Sequence, residues 1–203
     1  MANQFSKIAF TDSVKEVQAL MGSRRNYARF ESGPDSNHEL TESEIGFIGE
    51  RDSFYMASIS ETGWPYLQHR GGPAGFVRVL SSNEIGFADF SGNRQYVSVG
   101  NIIKNNRVAL IMVDYPNQAR LKILGEVKIV ELNSNLELIS KMTPENYKAK
   151  VERAFVIKIQ GFDWNCPQHI TPRWTAAEVQ KAVAPLKNKI QDLEAQIAQL
   201  KNT

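Results

Sequence analysis

Three short stretches of this 203-residue chain hold residue types that bind or transform small molecules. The first is Asp89-Phe-Ser-Gly-Asn-Arg-Gln-Tyr96, a glycine-bearing loop between a strand and an expected helix running through Val99, Ile102 and Ile103 to Asn105. A helix N-terminus offers free backbone N–H groups and a positive dipole end, Gly92 permits close approach, and Arg94 adds a bidentate donor. Together these could seat a phosphate. The same residues also suit an ordinary strand-to-helix turn with a surface arginine. The second stretch, Gln68-His-Arg-Gly-Gly72 followed by Pro73-Ala-Gly75, sets hydrogen-bonding side chains beside glycines at a strand end. That pattern fits the edge of a flat heterocycle approached by backbone, or equally a bulge between strands with His69 and Arg70 solvated. The third is Trp164-Asn-Cys-Pro-Gln-His-Ile170, with Pro172 and Arg173 after it. Cys166 invites a redox or nucleophilic role, whereas an isolated cysteine usually serves packing. Arg24, Arg25 and Arg29 form a basic cluster that could hold an anion or simply face solvent.

Other chemistries lack their motifs. There is no Gly-x-Ser-x-Gly, no P-loop, no His-Glu-x-x-His and no repeated Cys/His spacing. His38, His69 and His169 are scattered, so no metal site is expected and no catalytic acid or base is assigned.

Positioning these loops falls to elements that change character twice along the chain. Residues 1 to about 52 read as helical and polar. Ser13-Val-Lys-Glu16 and Thr41-Glu-Ser-Glu44 have capping-box form, Gly22 can close the first helix, and Gly33-Pro-Asp-Ser-Asn37 is a turn-rich loop. From Ser53 to about Gln160 the pattern is mainly β. Phe54–Ile59 precedes the turn Glu61-Thr-Gly-Trp64, and Phe76–Leu80 and Ile85–Asp89 flank Ser81-Ser-Asn-Glu84 as a hairpin. Val108–Val113, the alternating Leu121–Val130 and Ala154–Ile159 supply further strands. Thr143-Pro-Glu145 reads as a helix start. Six or seven short strands with one or two helices between them predict an α+β chain built on an antiparallel barrel. Residues 1–45 then form a helical extension, 46–173 the barrel domain and 174–203 a C-terminal helix.

In that helix Val179, Val183, Leu186, Ile190, Leu193, Ile197 and Leu200 follow alternating steps of four and three. This is a heptad seam with Val183, Ile190 and Ile197 at a and Leu186, Leu193 and Leu200 at d, which in a parallel pair favours two strands. Lys189 at g and Glu194 at e would oppose each other across such a pair. Thr175-Ala-Ala-Glu178 caps the helix, and Pro185 should kink it or begin its second half. The seam could instead lie on its own domain.

Composition sets outer bounds. The residues are 42% hydrophobic and 23% charged, with 24 basic and 22 acidic side chains. That suits a soluble globular protein and argues against a dedicated nucleic-acid binder. The longest apolar run, Val108–Val113, is far short of the ~20 residues a membrane helix needs. The first thirty residues carry Asp12, Lys15 and Glu16 without an apolar signal core, and the single cysteine suits a reducing cytoplasm. A cytoplasmic protein with no membrane or nucleic-acid partner is expected.

Taken in order, Gln68-His-Arg-Gly-Gly72, Phe76-Val-Arg-Val-Leu80, Phe87–Tyr96, Asn101, Asn106-Arg-Val-Ala-Leu110, Leu121-Lys-Ile-Leu-Gly-Glu126 and Cys166-Pro-Gln-His-Ile-x-Pro-Arg173 resemble the pyridoxamine 5′-phosphate oxidase-like, FMN-binding split-barrel family. The resemblance covers roughly residues 40 to 173 and is closest to the branch of predicted flavin-nucleotide-binding proteins. It implies a split β-barrel, a homodimer with FMN near the subunit interface, and FMN-dependent oxidoreduction of an unidentified small molecule. It also implies the site residues. Gly92, Asn93, Arg94 and Gln95 would hold the phosphate, with Arg94 carrying most of the charge. Gln68, His69, Arg70 and Gly71 would line the ring, with Arg78, Asp89 and Phe90 nearby. Asn165, Cys166, Gln168, His169 and Ile170 would close it, from the same or the other subunit. The chain departs from the authentic oxidase at three places. Asn93-Arg94-Gln95 stands where that enzyme has Ser-Arg-Lys, and its arginine-led, lysine-ended strand is reduced to Phe76-Val-Arg78-Val-Leu80. Its tryptophan-bearing substrate segment has no counterpart, so vitamin B6 oxidation is not implied. Two other readings fit the same barrel: a non-catalytic flavin or haem carrier with His69 or His169 as axial ligand, and a cofactor-free interaction module assembled through the tail.

Overall fold

The computed structural model describes residues 2–164 and 166–201. In chain order the elements are β1 (Ala2–Asn3), α1 (Gln4–Ala9), α2 (Asp12–Leu20), α3 (Arg24–Ala28), β2 (Asp35–Ser36), α4 (Glu42–Gly49), β3 (Ser53–Ile59), β4 (Pro65–Gly71), β5 (Arg78–Ser81), β6 (Glu84–Phe90), α5 (Val97–Lys104), β7 (Arg107–Asp114), β8 (Ala119–Glu131), α6 (Leu136–Met142), β9 (Val151–Trp164) and α7 (Ala176–Lys201). They fall into two compact units, Met1–Asp114 with Ala119–Pro167 and Tyr115–Gln118 with Gln168–Thr203.

The larger unit is a mixed α and β split barrel. Its seven-stranded sheet has the order β4-β3-β7-β8-β9-β6-β5. Every pairing in it is antiparallel. Period-two alternation sends Phe54 and Met56 of β3, Val108, Leu110 and Met112 of β7, and Leu121, Ile123 and Val127 of β8 to one side. There they meet Phe76, Ile85, Phe87, Phe155 and Ile157 in the main core. The rings interlock, with Phe87 edge-on to Phe54 at 5.1 Å and to Phe155 at 5.3 Å. β8 slips register between Leu124 and Gly125, and farther along it Val130 turns to a second cluster with Ile139 and Met142 of α6. The expected alternation holds here: Leu121, Ile123, Val127 and Ile129 share the main core, and Val130, one residue on, faces the opposite side of the strand.

Several local expectations are corrected. Thr11, not Ser13, caps α2, its hydroxyl accepting from the Val14 N–H at 3.5 Å. Helix geometry fixes the cap one residue before the first helical position, which places Ser13 inside the helix. Thr143-Pro-Glu145 starts no helix. Thr143 is the C-cap of α6, which Asn135 opens by accepting from the Leu138 N–H. The strand expected over Phe76–Leu80 begins only at Arg78, because Phe76 closes a turn, its N–H donating to the Pro73 carbonyl at 3.0 Å. The turn-rich loop at residues 33–37 includes β2, which pairs in parallel with β1. The capping box at Thr41 forms, and the Glu44 carboxylate also accepts from the Trp164 indole at 2.6 Å. Burial opposes ionisation of Glu44, but the bonds from Thr41 and Trp164 outweigh it and hold its carboxyl below the ordinary range.

In the smaller unit the Gln118 amide donates to the Ile170 carbonyl at 2.7 Å, and the Arg173 guanidinium lies over the Tyr115 ring. The Thr175 hydroxyl accepts from the Glu178 N–H while Glu178 accepts from the Thr175 N–H, closing the expected cap. α7 runs through Pro185, and its seam residues Leu186, Ile190, Leu193 and Ile197 are exposed. No helix among the described residues is long and apolar enough to cross a membrane.

Candidate functional site

Gln68 and Arg70 leave β4 on one side of the strand, as residues two apart must. On the other side of the cleft, β6 ends at Phe90 and the chain passes through Ser91-Gly-Asn-Arg-Gln-Tyr96 into α5. Two buried polar contacts fix the start of α5 against the sheet. The Ser98 hydroxyl donates to Gln68 Oε1 at 2.6 Å, and the Asn101 amide donates to the Ser58 hydroxyl at 3.0 Å. The loop is shaped by Asn93, whose side-chain Oδ1 accepts from the Gln95 N–H, and by left-handed backbone at Arg94 (φ 60°) and Tyr96 (φ 53°). Such conformations are costly for residues with a Cβ and concentrate where a loop serves a site.

The result is a cavity of about 210 Å³ with Gln68, Arg70, Asp89, Gly92, Arg94 and Gln95 in its wall. A neighbouring cavity of about 170 Å³ shares Gln68, Arg70, Asp89 and Phe90 and adds His69, Gly71 and Phe76. A side chain at Gly92 would meet nothing within 4 Å, so the space above it is open. Beneath the floor lies a charge network that local sequence does not reveal. Asp89 is 5% exposed and pairs with Arg70 and, through the β6–β9 register, with Arg153 at 3.2 Å. Arg70 also lies over the Phe155 ring at 5.3 Å. Burial pushes the Asp89 carboxyl up from its usual value, and the two guanidiniums pull it partly back. Arg70 Nε and Arg153 Nε are buried without hydrogen-bond partners among the described residues.

At the rim the Arg94 Nε–H donates to the Tyr96 hydroxyl at 3.3 Å, and that hydroxyl donates to Glu152 at 3.1 Å. Burial resists ionisation of Glu152. Hydrogen bonds from Ser91 and Tyr96, with Arg153 and Arg94 close by, override it and hold the carboxyl below its ordinary range. The site thus combines an exposed guanidinium, the first turn of α5, an amide and a hydroxyl with apolar surface from Phe90 and Val99. It can orient a molecule that has an anionic end and a flat polar ring. Among the described residues no three His, Cys, Asp or Glu side chains are grouped to hold a metal ion.

Of the residues singled out in the sequence, Gln68, Arg70, Asp89, Phe90, Gly92, Asn93, Arg94 and Gln95 line the larger cavity, and His69 and Gly71 line the smaller. His69 also meets Tyr55 edge-on at 5.4 Å. Arg78 is exposed at the start of β5 and lines neither cavity. Cys166 is exposed and lines a different cavity beside the N-terminal helices. Gln168, His169 and Ile170 belong to the smaller unit, with Ile170 buried, and Asn165 lies outside the described residues. Sequence reasoning missed Tyr66, Glu152 and Arg153, and it named Tyr96 only as the end of the loop. Two adjacent charges ahead of the apolar run Ala154–Ile157, Glu152-Arg153, were the available signal.

Residues 40–164 match the sequence profile of the pyridoxamine 5′-phosphate oxidase family. Among solved structures, HupZ from Group A Streptococcus aligns with a TM-score of 0.50 at 13% identity, covering 66% of this chain and 99% of that one. An FMN-binding protein from Syntrophomonas wolfei aligns at 0.47 and 10% identity, covering 73% and 97%. HutZ, a haem storage protein from Vibrio cholerae, aligns at 0.41 and 18% identity, covering 60% and 91%. No curated protein matches the chain. At such identities the HupZ likeness speaks for the backbone, and the profile match spans well over half the sequence. The chain belongs to the pyridoxamine 5′-phosphate oxidase family.

Proposed function

We propose that this chain is an FMN-binding oxidoreductase acting on a small molecule, working as a cytoplasmic homodimer with FMN near the subunit interface. The observation that carries the reading is the convergence of β4, the 89–96 loop and the first turn of α5 on one polar trough. Its donors suit the cofactor. Arg94, the amides of Gly92–Gln95 and the N-terminus of α5 would take the phosphate. Gln68 has its carbonyl engaged by Ser98, which leaves its NH₂ to donate to the ring edge. His69, Arg70, Gly71, Asp89 and Phe90 would border the ring, with Arg78 at its periphery. Bound flavin would supply the redox chemistry, and the protein supplies position and field.

Size supports a second subunit. Taken singly, each cavity is below the ~300–1,000 Å³ usual for such ligands, and a second copy would add a wall. The outer face of β3 and β4 exposes Tyr55, Ile59 and Leu67, apolar surface suited to a second copy. Titration of the full chain with FMN, followed by quenching of flavin fluorescence, should saturate at one flavin per chain, and sedimentation should report a dimer. Absence of saturable quenching would overturn the proposal.

A further inference from the structure

The largest of the cavities described here, about 530 Å³, lies elsewhere, between the N-terminal segment and the end of β9. Its volume falls within the ~300–1,000 Å³ range of small-molecule sites. Phe5, Phe10, Tyr27, Phe30 and Trp164 supply its walls, and Cys166 stands at its edge. The residues before position 40 lie outside the matched family region, and they supply most of the lining of this cleft.

Its walls are firmly placed. The Asn3 N–H donates to the Phe30 carbonyl and the Ala2 N–H to that of Pro34, both at 2.8 Å. α1 sits directly on β9 at Gly161, where an added Cβ would come within 2.6 Å of the Phe5 nitrogen. The rings brace one another, Phe10 edge-on to Tyr27 at 5.5 Å and Phe47 edge-on to Trp164 at 4.8 Å. Because the Trp164 N–H is already given to Glu44, the indole offers the cleft only π and apolar surface.

Ser6 and Gln18 add neutral polar atoms on the helical side, where Gln18 already accepts from Arg24, and on the sheet side the charges of the lining cancel. Lys122 pairs with Asp163 at 3.0 Å and lies over the Phe5 ring, while the Asn3 amide donates to Asp163 at 3.4 Å. No net charge is left for an anion such as a phosphate ester. We infer that this cleft is a second ligand site, separate from the flavin trough, which takes a neutral planar aromatic molecule with one hydrogen-bonding edge. Aromatic walls would sandwich the plane, and the Lys122–Asp163–Asn3 group would meet the polar edge.

Cys166, the single cysteine, makes the test specific. The probe is prodan, a neutral naphthalene dye with a carbonyl edge, added to the full-length wild-type chain while methyl methanethiosulfonate modifies Cys166. One dye should bind per chain, and dye at ten times its Kd should slow modification about tenfold, since mass action leaves roughly a tenth of the sites open. Tyr27→Ala should weaken dye binding about three- to tenfold, the weight of one aromatic contact. Leu136→Ser, exposed at the start of α6 and outside both sites, should leave it unchanged. Unprotected Cys166 at saturating dye, or dye binding lost with Leu136→Ser instead of Tyr27→Ala, would overturn the inference. The protection measurement needs no variant, so it decides the matter even if Tyr27→Ala folds poorly.

Discussion

Arg94→Ala isolates the phosphate contact from everything else in the trough. Arg94 is exposed and donates to the Tyr96 hydroxyl, which keeps Glu152 as its own acceptor when the guanidinium is gone. Alanine meets the same left-handed backbone demand as arginine, so the loop should keep its shape and thermal stability should hardly move. Ligand binding should move substantially. A charge-assisted contact to phosphate is generally worth about ten- to hundredfold in affinity. In the proposed complex the first turn of α5 would share the phosphate, and the site is open to solvent, which screens the charge. The low end, about tenfold, is therefore expected for FMN, measured by fluorescence quenching at fixed ionic strength. Riboflavin, which lacks the phosphate, should bind the wild type more weakly than FMN and should be indifferent to the substitution. Added salt should weaken FMN binding to the wild type more than to the variant. An FMN affinity within about threefold of wild type, or an equal loss for riboflavin, would refute the assignment of Arg94 to the phosphate.

Glu44→Gln should lower stability by about 1–3 kcal/mol at neutral pH, through the weakened bonds to Thr41 and Trp164. Because the folded protein depresses the Glu44 carboxyl, its contribution is present above the ordinary glutamate range and is lost as pH falls through the depressed value. Denaturant melts of wild type and variant should therefore converge in acid, and a gap independent of pH would contradict this. Cys166→Ser should keep bound FMN and most turnover, and complete loss of activity in a folded variant would make the thiol essential. A chain ending at Thr175 should stay dimeric and bind FMN with a lower Tm, because a seam of three heptads is marginal alone. Ile190→Lys with Leu193→Lys should do no more than that. A monomeric, FMN-free truncation in sedimentation would make α7 the principal interface.

Much of the barrel was legible because strand alternation is a local signal. Val108, Leu110 and Met112 point inward as their spacing demands, and the caps at Thr41 and Thr175 form from four-residue motifs. The loop from Asp89 to Tyr96 was likewise readable, since glycine, asparagine and arginine between a strand and a helix carry their own geometry. What escaped depends on register between distant strands. Only the pairing of β6 with β9 sets Arg153 beside Asp89, sixty-four residues away, and only the turn into β9 carries Glu152 to Tyr96. The cleft under the N-terminal helices was hidden for the same reason. Phe5, Tyr27, Lys122 and Trp164 share no local motif and meet because α1 docks at Gly161.

The visible absorption spectrum of the purified full-length protein, recorded after incubation with FMN and desalting, tests the central claim most directly. Retained flavin bands at one flavin per chain are the result expected of a trough built on Gln68, Arg70 and Arg94. A Soret band in the protein as purified, or a colourless protein that keeps no flavin, would contradict it.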